Sequence, residues 1–133
     1  MSERFADSFV FFALLNQRDH KHAAAMAVLG NSRDRLVTTA WILTELADGL
    51  CAARSRAMFV ALEARLRSDS RFTVIPATAQ LFDDGLELYR HRPDKDWSLT
   101  DCIPFMVMQQ RGIVEAFTGD HHFEQAGFVA LLK

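Results

Sequence analysis

The sequence predicts an α/β fold: a parallel sheet of about five short strands flanked by helices. Three observations predict it. Short runs rich in β-branched and aromatic residues, such as Arg35-Leu36-Val37-Thr38-Thr39 and Phe72-Thr73-Val74-Ile75, recur along the chain. Between them lie segments with apolar residues at helical spacing, as at Met58, Phe59, Leu62 and Leu66. Strands that alternate with helices pair in parallel, with helices on both faces of the sheet. The length, 133 residues, fits one domain spanning residues 1–133. A chain this long buries enough surface to fold without a disulfide or a structural metal.

The elements follow in order. Arg4 to Ala6 ends a short first strand at Asp7, and Ser8 opens an apolar run, Phe9 to Leu15, read as a buried helix. Asn16 to Asp19 is a polar break. His20 to Leu29 is Ala-rich and helical, and Gly30-Asn31 end it. Arg35 to Thr39 is the second strand. Ala40 to Ala53 and Ser55 to Arg67 are helices, and Phe72 to Ile75 is a third strand stopped by Pro76. Thr78 is an N-cap for a helix running to about Tyr89. His91 to Trp97 is a charged loop. A helix from Ser98 or Thr100 to about Arg111 ends at Gly112, followed by a fourth strand over Ile113 to Phe117, a turn at Gly119-Asp120, and a fifth strand over Phe128 to Leu132. No repeat, low-complexity segment or linker interrupts this order.

Composition narrows the function classes. Hydrophobic residues make up 50% and charged residues 24%, as in an ordinary globular protein. Eleven Phe against one Tyr predict a dry aromatic core. The net charge of −2 is a poor match to nucleic-acid binding by bulk electrostatics, so any such activity needs a local basic patch and a bridging metal. Cys51 and Cys102 form no C-x-x-C and read as free thiols of a reducing cytosol. Met1-Ser2-Glu3-Arg4 leads into only a short apolar run, so no signal peptide is expected. No stretch has the ~20 apolar residues a membrane helix needs. A cytoplasmic protein is the expectation.

Four carboxylates stand out as a set. Ligands of open α/β sheets bind beyond the carboxyl ends of the strands. Asp7 directly follows the first strand and Asp120 follows the fourth by a Thr-Gly step. Glu45 sits in the apolar helix Ala40-Trp41-Ile42-Leu43-Thr44-Glu45, sharing a face with Trp41 and Ile42, where a buried carboxylate is costly unless paired or metal-bound. Asp101 opens a late helix. Each has a plain structural alternative. Asp7 suits an N-cap, Glu45 a solvated stripe and Asp120 a turn. Asp101 completes a capping box in Ser98-Leu99-Thr100-Asp101. Together they form an all-oxygen donor set suited to Mg²⁺ or Mn²⁺, ions that activate water and offset charge on a phosphate.

The run Arg92-Pro93-Asp94-Lys95-Asp96-Trp97-Ser98-Leu99-Thr100-Asp101-Cys102 is followed after a helix by Ala116-Phe117-Thr118-Gly119-Asp120-His121-His122-Phe123-Glu124-Gln125-Ala126-Gly127-Phe128. This pattern resembles the closing motif of the PIN-domain family, and within it the VapC-like toxin branch of bacterial toxin–antitoxin pairs. Asp7-Ser8 resembles the family's opening aspartate step and Thr44-Glu45 its central Thr-Glu. The resemblance implies a PIN-like three-layer sandwich, with Asp7, Glu45, Asp101 and Asp120 as the catalytic and metal-binding quartet. It also implies a Mg²⁺- or Mn²⁺-dependent endoribonuclease with an RNA substrate and a small antitoxin partner. Two departures stand against it. Only six residues precede Asp7, and Pro104 stands three residues after Asp101, where the family commonly has a small hydroxyl residue. Proline there is expected to tilt Asp101.

Arg92 and Lys95, in the loop that feeds Asp101, and Ser8 beside Asp7 are candidate RNA contacts. Arg54, Arg56, Arg65 and Arg67 fit a solvated helix face at least as well as an RNA surface. His121 and His122 are adjacent, so their side chains are expected to diverge and to share no ion; at most one approaches a phosphate. Helical faces rich in Ala and Leu point to a homodimer. The competing functions are a catalytically weak PIN-fold scaffold acting through protein or RNA binding, and a DNA-directed nuclease of related architecture.

Overall fold

β1 (Glu3–Ala6), β2 (Arg35–Thr39), β3 (Phe72–Ile75), β4 (Glu115–Phe117) and β5 (Val129–Ala130) form one parallel sheet in the order β3-β2-β1-β4-β5. This computed structural model describes residues 2–31 and 33–133, Asn31 by its backbone alone. Met1, where the signal-peptide reading begins, lies outside the described residues, as does the side chain of Asn31 at the predicted end of the second helix. β1 is short but central. Phe5 is in register with Val37 on one side and Ala116 on the other, and Phe5 and Ala6 are fully buried.

The chain steps outward from β1 to β2 and β3, then crosses to the other side of β1 for β4 and β5. Right-handed crossovers place the helices of the two legs on opposite faces. α1 (Ser8–Leu15), α2 (His22–Asn31), α3 (Ala40–Gly49) and α4 (Ala53–Ser68) belong to the first leg. α5 (Ala79–His91) and α6 (Leu99–Arg111) return the chain to β4, and α7 (His121–Gln125) links β4 to β5. The progression of the strand order reverses between β1 and β4 while all strands stay parallel, so the switch point lies at the carboxyl ends of these two strands, beside Asp7 and Thr118.

Several boundaries move for identifiable reasons. α2 starts at His22 because the Asp19 carboxylate takes the Lys21 N–H at 2.8 Å and holds a turn there. α3 stops at Gly49, where an added Cβ would come within 2.6 Å of the Phe12 ring, and the chain breaks before α4. Ile113 is not in β4. Gly112 adopts the left-handed conformation (φ 69°), and the Ile113 N–H turns back to Met108 O at 2.8 Å, closing α6. β5 covers only Val129–Ala130, the two residues that pair with Glu115 and Ala116. α7, read from sequence only as a polar segment, is a short helix.

The core is aromatic as expected. Phe105 meets Phe123 edge-on at 5.0 Å and Trp97 edge-on at 5.2 Å, and Phe123 lies 6.3 Å from Phe5. This chain of rings seats α7 and the α5–α6 loop on the sheet. α5 approaches α6 so closely that a Cβ at Gly85 would lie 2.4 Å from Ile103 Cγ1. Pro104 is buried inside α6 without interrupting it, and Asp101 keeps both capping-box bonds; the predicted tilt is absent.

Candidate metal centre

Asp7 follows the central strand and stands at the N-cap position of α1, yet its carboxylate makes no N-cap bond into the first turn of that helix beyond Ser8. It accepts instead from the Thr118 hydroxyl at 2.7 Å and from the Ser8 N–H. Asp7 is only 8% exposed. Burial pushes its carboxyl up to about 7, the two hydrogen bonds pull it down, and the charges of Glu45 and Asp120 raise it further. No Lys or Arg forms an ion pair with Asp7 among the described residues.

Thr118 was not singled out in the sequence, and it links two parts of the site. Its fully buried hydroxyl donates to Asp7 and accepts the Asp120 N–H at 3.1 Å. Its place at the end of β4, two residues before Asp120, was the available signal. Asp120 caps α7, accepting the His122 N–H at 2.9 Å. Asp101 closes the capping box with Ser98, and its Oδ2 lies 3.1 Å from His122 Nδ1. The same Nδ1 is 3.6 Å from Asp120 Oδ1. His122 therefore stands between Asp101 and Asp120.

Glu45 differs from expectation. α3 turns Ile42, Leu43 and Leu46 to the core, while Glu45 is exposed and Trp41 half-buried. The cost of burial therefore does not argue for a ligand role at this position. Glu45 still acts on Asp7 through its charge. The structure thus links Asp7, Glu45 and Asp120 electrostatically, and Asp101 to Asp120 through His122. The four carboxylates do not close to the tightest ligand spacing. Among the described residues, the group of three ligand-type side chains with all donor atoms within 4.8 Å of one another is Asp120, His121 and His122. The expected divergence of the two histidines is not found: their ring centroids are 4.5 Å apart.

The candidate RNA contacts separate. Ser8 lies beside Asp7. Arg92 is held by Asp94 at 3.0 Å and stacks 5.0 Å above Trp97, and with Lys95 it lines a cleft of about 450 Å³ whose walls include Tyr89 and Arg90 but none of the four carboxylates. Trp97 joins this cleft to the site, since its indole N–H donates to Gln125 of α7 at 3.1 Å. The arginines of α4 follow the solvated reading: Arg54, Arg56, Arg65 and Arg67 are exposed, and Arg67 pairs with Glu63. Cys51 and Cys102 are free, and burial pushes the Cys102 thiol up to about 11, assisted by the Asp101 charge.

The sheet is parallel and five-stranded, with Asp7 at its central switch point, and a PIN-domain family model matches residues 4–129. The chain belongs to the PIN-domain family. It is 27% identical over 128 residues to the 23S rRNA-specific endonuclease VapC20 of Mycobacterium tuberculosis, covering 94% of this chain and 95% of that protein. The crystal structure of that VapC20, titled a sarcin-ricin loop cleaving toxin, superposes with a TM-score of 0.85 at 26% identity, over 99% of this chain and 100% of the other. Neisseria gonorrhoeae FitAcB shares the fold at a TM-score of 0.68 and 17% identity, over 97% and 96% of the two chains. Rickettsia felis VapBC2, bound to a DNA fragment from its promoter, does so at 0.69 and 13%, over 96% of each. No described helix is long and apolar enough to cross a membrane.

Proposed function

We propose that this chain is a divalent-cation-dependent endoribonuclease and the toxin of a toxin–antitoxin pair, acting in the cytoplasm. The observation that carries this reading is Asp7: a buried carboxyl pushed up to about 7 beside the charges of Glu45 and Asp120, with no Lys or Arg ion-paired to it among the described residues. An all-oxygen donor set with surplus negative charge fits Mg²⁺ or Mn²⁺. Asp7, Glu45, Asp101 and Asp120 would hold the ion, which when bound lowers the pKa of a water and offsets charge on the phosphate. Thr118 fixes the Asp7 oxygen and the Asp120 backbone together. The capping box holds Asp101 at the mouth of α6. Ser8, Arg92 and Lys95 would contact the RNA backbone. The likeness to VapC20 makes a ribosomal RNA loop the first substrate to try. A small antitoxin is the proposed partner. A second copy of the chain is the proposed oligomeric partner.

The test is cleavage of loop-containing RNA by purified protein in Mg²⁺ or Mn²⁺, with EDTA and Asp101→Asn as controls. Chelation should stop cleavage, and Asp101→Asn should reduce it at least ~100-fold with the fold retained, a loss in keeping with removing a group that stabilises developing charge. Cleavage that survives both would overturn the metal reading. A folded, metal-replete wild type that cuts no RNA would point instead to a PIN-fold scaffold.

A further inference from the structure

His121 and His122 open α7 directly after Asp120, and both rings turn toward one oxygen. Asp120 Oδ1 lies 3.7 Å from His121 Nδ1 and 3.6 Å from His122 Nδ1. Both distances are too long for a hydrogen bond. They approach a different geometry: two donors ~2.1 Å from one ion and tetrahedrally disposed are ~3.4 Å apart. The donor atoms of all three residues lie within 4.8 Å of one another. Local folding explains how neighbours in sequence achieve this. The Asp120 carboxylate folds back to cap the His122 N–H at 2.9 Å, which carries its Oδ1 over the first turn of α7. The aromatic packing of Phe123 against Phe5 and Phe105 fixes that turn on the sheet.

We propose that Asp120, His121 and His122 form a second cation site, which takes a borderline transition-metal ion such as Zn²⁺ and shares Asp120 with the carboxylate centre. The chemical class follows from the donors. Two imidazole nitrogens and one carboxylate oxygen suit Zn²⁺, whereas Mg²⁺ prefers oxygen. The nearest further donor is Asp101, whose Oδ2 is 3.1 Å from His122 Nδ1. A Zn²⁺ ion here engages Asp120 and replaces the His122–Asp101 contact. It therefore weakens Mn²⁺ binding at Asp7, and Mn²⁺ weakens Zn²⁺ binding by the same factor, because coupling between two sites is reciprocal.

The experiment uses untagged full-length protein and no RNA, so it is independent of whether the chain cleaves RNA. Zn²⁺ affinity is measured by competition with a chromogenic chelator, and Co²⁺ serves as a spectroscopic probe of tetrahedral coordination. His121 is exposed, and its polar and ring contacts are to Asp120 and the His122 ring, so His121→Gln leaves the fold intact. His121→Gln and His122→Gln should each weaken Zn²⁺ at least ~10-fold, since even outer-shell changes at metal sites cost ~10–100-fold. Both should remove the tetrahedral Co²⁺ bands, while Asp7→Asn keeps them. Unchanged Zn²⁺ affinity in His121→Gln would overturn the proposal. So would an Asp7→Asn variant that loses as much Zn²⁺ affinity as His121→Gln, because the ion would then sit in the carboxylate centre.

Discussion

The two edges of the sheet treat carboxylates in opposite ways. At the amino edge each has a guanidinium. Glu3 pairs with Arg111 at 2.8 Å, Glu115 and Asp34 with Arg4 at 3.1 and 2.6 Å, and Asp69 with Arg71 at 2.8 Å. The Arg111 and Arg71 hydrogen bonds hold Glu3 and Asp69 below the usual carboxylate range. At the carboxyl edge Asp7, Glu45, Asp101 and Asp120 meet no Lys or Arg among the described residues; hydroxyls, backbone N–H groups and imidazoles are their only partners. There Asp7 is pushed up to about 7. The same side-chain chemistry is thus satisfied where the sheet begins and left in deficit where it ends. A deficit of positive charge confined to a switch-point crevice is what a cation site requires and a structural edge does not.

The largest effect expected from this contrast is at Asp7. Its carboxyl titrates near 7 when folded, against an ordinary value of 3.8, so the native state binds more protons between those limits. Stability of the metal-free protein is therefore greatest below pH ~4 in this respect and falls as pH rises through ~7, by a total on the order of 4 kcal/mol. Asp7→Asn removes the titration. In EDTA it should be nearly neutral at pH ~3, where Asp7 is protonated in both states, stabilising by about 1–2 kcal/mol at pH 5 and by about 2–4 kcal/mol at pH 8, measured by urea melts. Millimolar Mn²⁺ should raise the melting temperature of wild type more than that of the variant, because a ligand selective for the native state stabilises by mass action. Equal Mn²⁺ shifts in the two proteins would remove Asp7 from the cation site.

A smaller effect is expected at Thr118. Thr118→Val keeps the shape, removes the donor to Asp7 and leaves the half-buried Asp120 N–H without its acceptor. Hydrogen bonds to charged groups contribute ~1.5–3 kcal/mol, so the variant should lose about that much at pH 8 in EDTA and less at pH 5, where Asp7 is protonated. A loss independent of pH would mean that the hydroxyl serves packing and not the Asp7 charge.

The carboxyl ends of the strands were readable in the sequence; the ion pairs of the amino edge and the joints between helices were not. Asp7 and Asp120 could be placed because a strand run ending in Asp needs only local pattern to read. The α3 phase was ambiguous. Ala40-Trp41-Ile42-Leu43 is apolar on every side, so periodicity could not show that Ile42 faces the core while Glu45 faces solvent. Adjacency in sequence predicts that His121 and His122 diverge, but the contact of His122 with Asp101 depends on how a five-residue helix sits against α6, a tertiary fact with no trace in spacing. Thr118 looked like any hydroxyl at a strand end. The capping box at Ser98 and the metal reading at Asp101 were weighed as alternatives, and the structure shows the capping geometry beside His122 without opposing the metal reading.

The smallest expected effect tests the other side of the contrast, at Glu3. The Arg111 hydrogen bond lowers its pKa, burial opposes this, and the charges of Arg111 and Arg35 lower it further. A carboxyl held below its ordinary 4.5 contributes stability that is present above that value and is lost as pH falls through the lowered folded value. Glu3 and Arg111 side chains remain 25% and 36% exposed, so solvent screens the pair and it contributes at most ~1 kcal/mol. Glu3→Gln should therefore destabilise by ~1 kcal/mol or less at pH 7, and the difference should shrink both at pH 3 and in high salt. Its sign at neutral pH is opposite to that of Asp7→Asn in EDTA, although both replace a carboxylate by its amide at opposite ends of β1. Denaturant melts of the two variants at pH 7–8 and at low pH make the comparison on one strand. A Glu3→Gln protein more stable than wild type at pH 7 would mean that the amino edge is also overloaded with negative charge, and the carboxyl edge would lose the distinction on which the cation site rests.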